Sequence, residues 1–379
     1  MSYNAESFTA YSFLRKNMKI MTILGTRPEI IRLSLIIKKL DAVSDHILVH
    51  TGQNYSKTLK NVFFNELNIR QPDYYLGAES SSIGTQVAKI IEGSHEILQK
   101  HRPDKVLILG DTNSGLAAIP AEKMLIPVYH MEAGNRCYDK TVPEEKNRLI
   151  IDAVSSYNLP YAPRSRENLL REGKNPQSIM MSGNPINEVL THFNKNISKS
   201  SILKKLHLRK NKYFIVTAHR AENVDNQERL KEIFRGLDLI AENYKLPVIC
   251  SIHPRTKEKM EKFNIYPKNK FVRLSEPFGF FDFVQLEKNA FCAISDSGTV
   301  QEECCIFQVP TVTIRMTTER PETIECGSNI LSGLDGDKIL ECVNLMINNR
   351  NNWVCPQGYL DANVSTKVVN FILGNNLIV

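Results

Sequence analysis

The sequence predicts an α/β protein made of two doubly wound domains, each with a parallel sheet covered by helices on both faces. Short apolar runs alternate with segments whose apolar residues recur at helical spacing, along almost the whole chain. The chain has 379 residues, which is enough for two domains of ordinary size. We expect an extension at 1–17, an N-terminal domain at 18–185 and a C-terminal domain at 186–363. A last helix at 364–379 is expected to pack back on the first domain.

The composition excludes several classes of protein. An apolar fraction of 42% and a charged fraction of 23% are those of a globular protein. The net charge of +7 is mild, and the basic clusters lack interleaved aromatics, so we expect no nucleic-acid surface. No run reaches the roughly 18 apolar residues of a membrane span, and residues 1–17 lack a signal-peptide core. Eight cysteines without a C-x-x-C motif indicate reduced thiols. We therefore expect a cytoplasmic protein without membrane contact.

The predicted first domain begins with a short apolar strand at 19–24. It stops at Gly25-Thr26-Arg27-Pro28-Glu29, and Pro28 suits the first turn of the helix that follows. Further strands are predicted at 46–49, 105–109, 127–130 and 178–181, and further helices at 57–67 and 83–99, after Asn113, and from Pro143 and Ile186.

A second series of strands follows a Lys-, Asn- and Ser-rich connector at 195–212. Its strands are predicted at 213–217, 248–252, 271–274, 290–294 and 311–314. The stretch AISDSGTVQEE (293–303) passes from a strand through a small polar turn to a helix with a predicted capping box from Thr299 to Glu302. Such a junction binds anions through free backbone amides and the helix dipole. Glu302 and Glu303, one turn further on, are candidates for holding the hydroxyls of a ribose; the alternative is an ordinary capped helix.

Polar clusters follow most of the predicted strands, at the carboxyl edge where doubly wound sheets bind ligands. Two such edges facing each other across a cleft would bring together Arg27, Asp111, Glu132, Glu144, His219 and Ser297. Structural alternatives remain open for three candidates: Asp111 as a helix cap, Glu144 as an acid favoured by the helix dipole, and His253 as a structural histidine.

Several catalytic motifs are absent from the sequence. No G-x-G-x-x-G follows the first strand, and no P-loop, H-E-x-x-H or G-x-S-x-G motif occurs. A dinucleotide site, a P-loop and a serine-hydrolase elbow are thereby disfavoured, and no spacing resembles a metal site. The remaining candidates are carboxylates, histidines and arginines, which are acid–base groups and phosphate binders.

Taken together, the motifs identify a family. GTRPE, GDTNS, HMEAGNR, VPEEKNR, SGNP, TAHRAEN, SDSGTVQEE and TERPET occur in the order found in the non-hydrolysing UDP-N-acetylglucosamine 2-epimerases, which the chain resembles from Lys19 onward. The resemblance implies the GT-B fold of nucleotide-sugar glycosyltransferases, with two Rossmann-like domains, and a homodimer that uses neither a redox cofactor nor a catalytic metal. It also implies inversion of carbon 2 of a UDP-N-acetylhexosamine, by elimination of UDP to a glycal and its re-addition.

The resemblance implies roles for individual residues. The acid–base carboxylates would be Asp111, Glu132 and Glu144, and His219 would contact the diphosphate and assist the departure of UDP. The remaining implied contacts are Arg27, His253, Ser297 and Gly298 with the diphosphate, Glu303 with the ribose, and Arg136 and the TERPE segment (318–322) along the cleft.

The sequence departs from the family pattern at three places. Residues 53–56 replace a Gln-His-x-x-Met-like stretch of members activated by a second substrate molecule, and Arg32 replaces a common lysine. Asn135 and Cys137 resemble the branch that makes UDP-N-acetyl-L-fucosamine from its L-talose epimer, for capsule or O-antigen. The sugar therefore stays open between the D-gluco and 6-deoxy-L series. Rival functions are a GT-B glycosyltransferase, a hydrolysing epimerase and a catalytically silent UDP-sugar-binding protein.

Overall fold

The computed structural model describes residues 18–53, 63–348 and 352–374, which divide into two compact units. The first unit runs to Thr191 and resumes at Gln357, and the second runs from His192 to Pro356. The segment after Gln357 belongs with the first unit because Asn184 N donates to Gly358 O at 2.8 Å and Tyr359 is fully buried. The expected extension at 1–17 lies outside the described residues, as does most of the predicted helix at 57–67.

The first unit is built on a six-stranded parallel sheet in the order β3-β2-β1-β4-β5-β6. Its strands are β1 Lys19–Leu24, β2 Asp45–His50, β3 Tyr74–Tyr75, β4 Lys105–Leu109, β5 Val128–Met131 and β6 Tyr157–Leu159. Its helices are α1 Arg27–Val43, α2 Ile83–His101, α3 Ala118–Lys123, α4 Pro143–Val154, α5 Pro163–Arg171 and α6 Ile186–His192, with 3₁₀ turns at Asn113–Ala117 and Pro176–Ser178. The strand order reverses between β1 and β4, so their carboxyl ends flank a topological switch point, where such sheets bind ligands.

The second unit repeats this plan. Its sheet is also six-stranded and parallel, in the order β12-β11-β10-β7-β8-β9. Its strands are β7 Phe214–Thr217, β8 Val248–Ser251, β9 Val272–Ser275, β10 Cys292–Ser295, β11 Thr311–Thr313 and β12 Asn329–Leu331. Its helices are α7 Asn194–Ser198, α8 Ile202–Lys205, α9 Ala221–Val224, α10 Gln227–Tyr244, α11 Pro254–Phe263, α12 Phe280–Lys288, α13 Gly298–Phe307, α14 Pro321–Glu325 and α15 Gly336–Asn348. Its switch point lies between β7 and β10.

The apolar runs form strands because a parallel sheet is covered on both faces and its strands are apolar throughout. In β1 the run KIMTIL includes the buried side chains of Ile20 and Leu24, and in β4 the run KVLIL includes those of Val106 and Ile108. The predicted fold class, two parallel α/β domains, is confirmed.

One sequence prediction about an element is wrong, and another is incomplete. The strand predicted at 178–181 is only a single bridge from Ile179 to Asn158, and the sixth strand is Tyr157–Leu159. This three-residue strand directly follows α4, so its apolar residues extend the helical pattern and hide the boundary. The connector predicted at 195–212 contains two short helices, α7 and α8.

The last helix, α16 (Val364–Leu373), packs on the first unit. The ring of Phe371 lies edge-on to Tyr129 and Tyr157, with centroids 5.6 and 5.4 Å away. Lys105 Nζ donates to Gly374 O at 2.8 Å, just past the helix end. Aromatic contacts and a capping cation therefore fix α16 beside β5 and β6.

Candidate active site

The switch point of the first unit brings three loops together around Gly25. Glu29 turns back from the first turn of α1 and accepts hydrogen bonds from Gly25 N at 2.5 Å and Thr26 N at 3.1 Å. A Cβ on Gly25 would lie 2.1 Å from both Thr51 Oγ1 and Ser114 Oγ, which bond each other at 2.7 Å. The position therefore requires glycine, because the ends of β1, β2 and β4 meet there.

Asp111 follows β4 and is fixed by α4. Its Oδ2 accepts from Arg148 Nε at 2.7 Å, and its backbone carbonyl accepts from Asn147 Nδ2 at 2.9 Å. The Arg148 side chain is 2% exposed, whereas that of Asp111 is 20% exposed. The helix cap proposed as an alternative role for Asp111 falls to Thr112, which accepts from Ser114 N. Asp111 is thus a partly accessible carboxylate whose orientation is set by a buried arginine.

Glu132 follows β5 and lies on strained backbone. Its φ of 67° is in the left-handed region, which is uncommon for a residue with a side chain. Its buried carboxylate pairs with Arg32 of α1, and the Arg32 guanidinium lies 5.9 Å from the ring centroid of Tyr161. The carboxylate of Glu132 is therefore held against α1 by Arg32.

Arg136 lies in a buried ion-pair network. Its Nη2 lies 2.7 Å from Asp152 Oδ2 and 2.5 Å from Glu172 Oε2. Burial alone would raise the pKa of Asp152, but a hydrogen bond from His130 at 2.8 Å and the charge of Arg136 hold that pKa below its ordinary value. The network anchors the HMEAGNR loop. The structure therefore places Arg136, predicted to contact substrate, at a buried structural position.

The two glutamates that open α4 have different surroundings. Glu145 accepts from the backbone amides of Cys137 at 3.1 Å and Tyr138 at 2.9 Å and pairs with Arg148. Burial would raise the pKa of Glu145, but these partners lower it below its ordinary value. Glu144 is half-buried in the same helical turn. Glu145 therefore supports the loop, and Glu144 stays the candidate for chemistry.

Asp296, predicted only as a turn residue, organises the switch point of the second unit. The side chain is fully buried, and its Oδ2 accepts from His219 N and Arg220 N, both at 2.9 Å. Its Oδ1 lies 3.4 Å from Nδ1 of the His219 ring. Asp296 thus joins the ends of β7 and β10 and orients His219. An acid directly after a buried strand at a switch point is the sequence signal for it.

Helix α13 begins at Gly298 with Ser297 as its N-cap residue. The capping box predicted from Thr299 to Glu302 is wrong, because Thr299 already lies inside the helix and Glu302 accepts from Arg320 Nε at 2.5 Å. A Cβ on Gly298 would lie 2.7 Å from Glu319 Oε1, so a larger residue here would displace the end of that side chain. The predicted helix N-terminus after the polar turn is present.

Ion-paired arginines and buried glutamates lie around this helix start. Arg315 Nη1 donates to Glu319 Oε2 at 2.7 Å, and Arg220 Nη2 donates to Glu319 Oε1 at 3.1 Å. Glu303 is 6% exposed. Glu319 belongs to the TERPE segment that was singled out in the sequence, and it pairs with Arg315 four positions earlier and with Arg220 99 positions earlier.

The remaining predicted residues lie at the ends of strands or the start of a helix. His253 Nδ1 accepts from Arg255 N at 3.2 Å and caps α11, so the structural alternative describes part of its role. Its ring centroid is 5.7 Å from that of His219. Arg27 is exposed at the start of α1, 5.6 Å from the ring centroid of Phe63.

Within residues 18–53, 63–348 and 352–374, no helix is long and apolar enough to cross a membrane.

Comparison with known proteins shows that the chain is a two-domain α/β protein of the GT-B type. The fold matches the crystal structure of Methanocaldococcus jannaschii UDP-GlcNAc 2-epimerase in complex with UDP-GlcNAc and UDP, with a TM-score of 0.89 and 42% identity over 94% of this chain and 99% of that one. The family model for UDP-N-acetylglucosamine 2-epimerase matches residues 38–373, and the chain belongs to that family.

Two relatives of known sequence support the same conclusion. A UDP-N-acetylglucosamine 2-epimerase of Methanocaldococcus jannaschii is 44% identical over 90% of this chain and 95% of that protein. A UDP-2,3-diacetamido-2,3-dideoxy-D-glucuronate 2-epimerase of Pseudomonas aeruginosa is 33% identical over 86% of this chain and 91% of that protein. The resemblance inferred from the motifs is thus confirmed, and the chain is an epimerase, an isomerase that acts on a UDP-sugar.

Proposed function

We propose that the chain interconverts UDP-N-acetylglucosamine and UDP-N-acetylmannosamine without hydrolysis, by eliminating UDP and adding it back. The observation that carries this proposal is the pair of carboxylates, Asp111 and Glu132, that follow neighbouring strands β4 and β5 and are each oriented by a buried arginine. Proton removal at carbon 2 and proton return to the opposite face require two positioned acid–base groups.

The chemistry follows from the weak acidity of the carbon 2 proton. A carboxylate accepts this proton while the bond between carbon 1 and UDP breaks, which leaves a glycal with a double bond between carbons 1 and 2. UDP then adds back to carbon 1, and a second group delivers a proton to the other face of carbon 2. We assign this work to Asp111, Glu132 and Glu144. His219, oriented by Asp296, would assist departure of the diphosphate.

The second unit supplies the features expected of nucleotide binding. The first turn of α13 presents backbone amides after Ser297 and Gly298, at the positive end of the helix dipole. In the second unit we assign the diphosphate to these amides and to His253, and the ribose hydroxyls to Glu303. In the first unit Arg27 stays the candidate anion-binding residue. Arg136 is left out of the binding set, because its guanidinium is bound by Asp152 and Glu172.

The choice of sugar depends on the comparisons and on two residues. The 44% identity to a protein named for UDP-N-acetylglucosamine favours the D-gluco sugar. Asn135 and Cys137 favour the 6-deoxy-L series, and the Pseudomonas relative is named for a uronate, so similar chains differ in their sugar. A homodimer, a cytoplasmic location and a role in surface-polysaccharide synthesis complete the proposal, and light scattering of the purified protein tests the homodimer.

Proton NMR in D2O with UDP-N-acetylglucosamine and no acceptor tests the reaction. We expect UDP-N-acetylmannosamine carrying deuterium at carbon 2, with Asp111→Asn as the inactive control that still binds UDP. Exchange only with UDP-2-acetamido-2,6-dideoxy-L-talose would move the assignment to the L-fucosamine series. Free N-acetylmannosamine would indicate a hydrolysing enzyme. No exchange with any sugar by the wild type would refute the epimerase proposal and favour a transferase or a silent binding protein.

A further inference from the structure

A buried glutamate in the first unit has no role in the mechanism above. Glu29 lies in the first turn of α1 and is 2% exposed. Its Oε2 accepts from Gly25 N at 2.5 Å and Thr26 N at 3.1 Å, and its Oε1 accepts from Thr112 Oγ1 at 2.7 Å. One carboxylate therefore joins the loop after β1 to the loop after β4, across the switch point.

These two loops carry residues of the proposed site. Arg27 belongs to the turn whose amides Glu29 accepts from, and Asp111 directly precedes Thr112. The Thr112 side chain also accepts from Ser114 N at 3.3 Å, so the hydroxyl that Glu29 binds also shapes the Asp111 loop. A change of about 1 Å in the position of a reacting group can lower a rate about a hundredfold.

Glu29 differs from the other buried carboxylates at this edge. Asp111 and Glu132 each have an arginine partner, whereas the carboxylate of Glu29 has only hydrogen-bond donors without charge among the described residues. Burial therefore raises the pKa of Glu29 to about 7. Both oxygens of this buried carboxylate are bound to the two loops, so we assign it to holding the loops rather than to contact with a substrate.

We propose that Glu29 is a positioning residue for epimerisation, which fixes the Asp111 loop against the turn that carries Arg27. The expected effect on kcat rests on the proposed function, whereas the link between the two loops does not. A positioning role depends on the shape and hydrogen bonds of the side chain. A glutamine can supply both: its oxygen accepts from the two amides, and its NH2 group donates to the hydroxyl of Thr112.

The test compares variants that break the link with variants that keep it. Thr112→Val removes the hydroxyl and should lower kcat about tenfold to a hundredfold while the Kd for UDP changes less than about twofold. Glu29→Ala should lower kcat at least as much and also weaken UDP binding, because the Arg27 turn is released too. Glu29→Gln and Thr112→Ser should keep kcat within about threefold of wild type. The double variant Glu29→Ala/Thr112→Val should have the kcat of Glu29→Ala.

Amide hydrogen exchange of the loop 110–114 gives a readout that does not depend on activity. We expect faster exchange in Glu29→Ala and Thr112→Val, and wild-type exchange in Glu29→Gln. Wild-type kcat and loop exchange in Thr112→Val would overturn the proposal, even if Glu29→Ala fails to fold. A Glu29→Gln variant as slow as Glu29→Ala would also overturn it, because the carboxylate itself would then be required. A wild type without turnover, but with a loosened loop in Thr112→Val, would refute the proposed function and not the link.

Discussion

Removal of the cation from the Arg32–Glu132 ion pair should destabilise the first unit. The two side chains are only 3% and 7% exposed. Breaking a buried ion pair from one side costs about 3–5 kcal/mol, because a charge is left buried without compensation. We therefore expect Arg32→Met, which keeps much of the side-chain volume, to lower the free energy of unfolding by about 3–5 kcal/mol. Arg32→Lys, the residue common in the family, should lose less because it keeps the charge.

The exposed pair Arg171–Glu167 provides a matched control, since its side chains are 70% and 55% exposed. Arg171→Met should change stability by roughly 0.2–1 kcal/mol. Urea unfolding followed by circular dichroism measures both variants under the same conditions. The double variant Arg32→Met/Glu132→Gln should recover part of the loss, because no charge remains buried. An Arg32→Met variant no less stable than Arg171→Met would refute the reasoning.

Three further predictions concern the switch points. Gly25→Ala should cost about 1–3 kcal/mol in urea unfolding, because its Cβ would lie 2.1 Å from two hydroxyl oxygens; unchanged stability would contradict this contact. Burial raises the pKa of Glu29 from 4.5 to about 7, so its contribution to stability is greatest below pH 4.5 and falls by up to about 3 kcal/mol as pH rises to 7. The Glu29→Gln variant should lack this pH dependence. The prediction is refuted if the free energy of unfolding changes equally with pH in the variant and in the wild type. Asp296→Asn should lower kcat about a hundredfold in the NMR assay, because the ring of His219 loses its orienting carboxylate; a wild-type kcat would exclude that role.

The sequence predicts best what depends on nearby residues. The runs KIMTIL and CAIS form strands, and the polar residues that follow them lie at the switch points. Strand burial and the position of ligand sites follow from local pattern and from the rules of parallel α/β sheets. The strand at Tyr157–Leu159 was missed because three residues are too few to show a period of their own.

The partners of the polar side chains are less predictable. Glu302 has the spacing of a capping box, yet its partner is Arg320, which lies 18 positions later. Asp296 accepts from an amide 77 positions earlier, and Arg136 from the predicted binding set pairs with a glutamate 36 positions later. Such pairs are set by the packing of loops at the sheet edge, and a single sequence carries no measure of that packing. The sequence therefore identifies the candidate residues by their type, and the structure shows which partners they bind.

The two units use the same device at their switch points. In the first, a buried carboxylate, Glu29, accepts from two successive backbone amides after β1 and from a side chain after β4. In the second, Asp296 follows β10 and accepts from two successive amides after β7. A carboxylate suits this task because its two oxygens provide about four acceptor sites, and buried amides at strand ends need acceptors. One small side chain can thus fix two loops that follow neighbouring strands. The space at the sheet edge is left to Asp111 in the first unit and to His219 in the second.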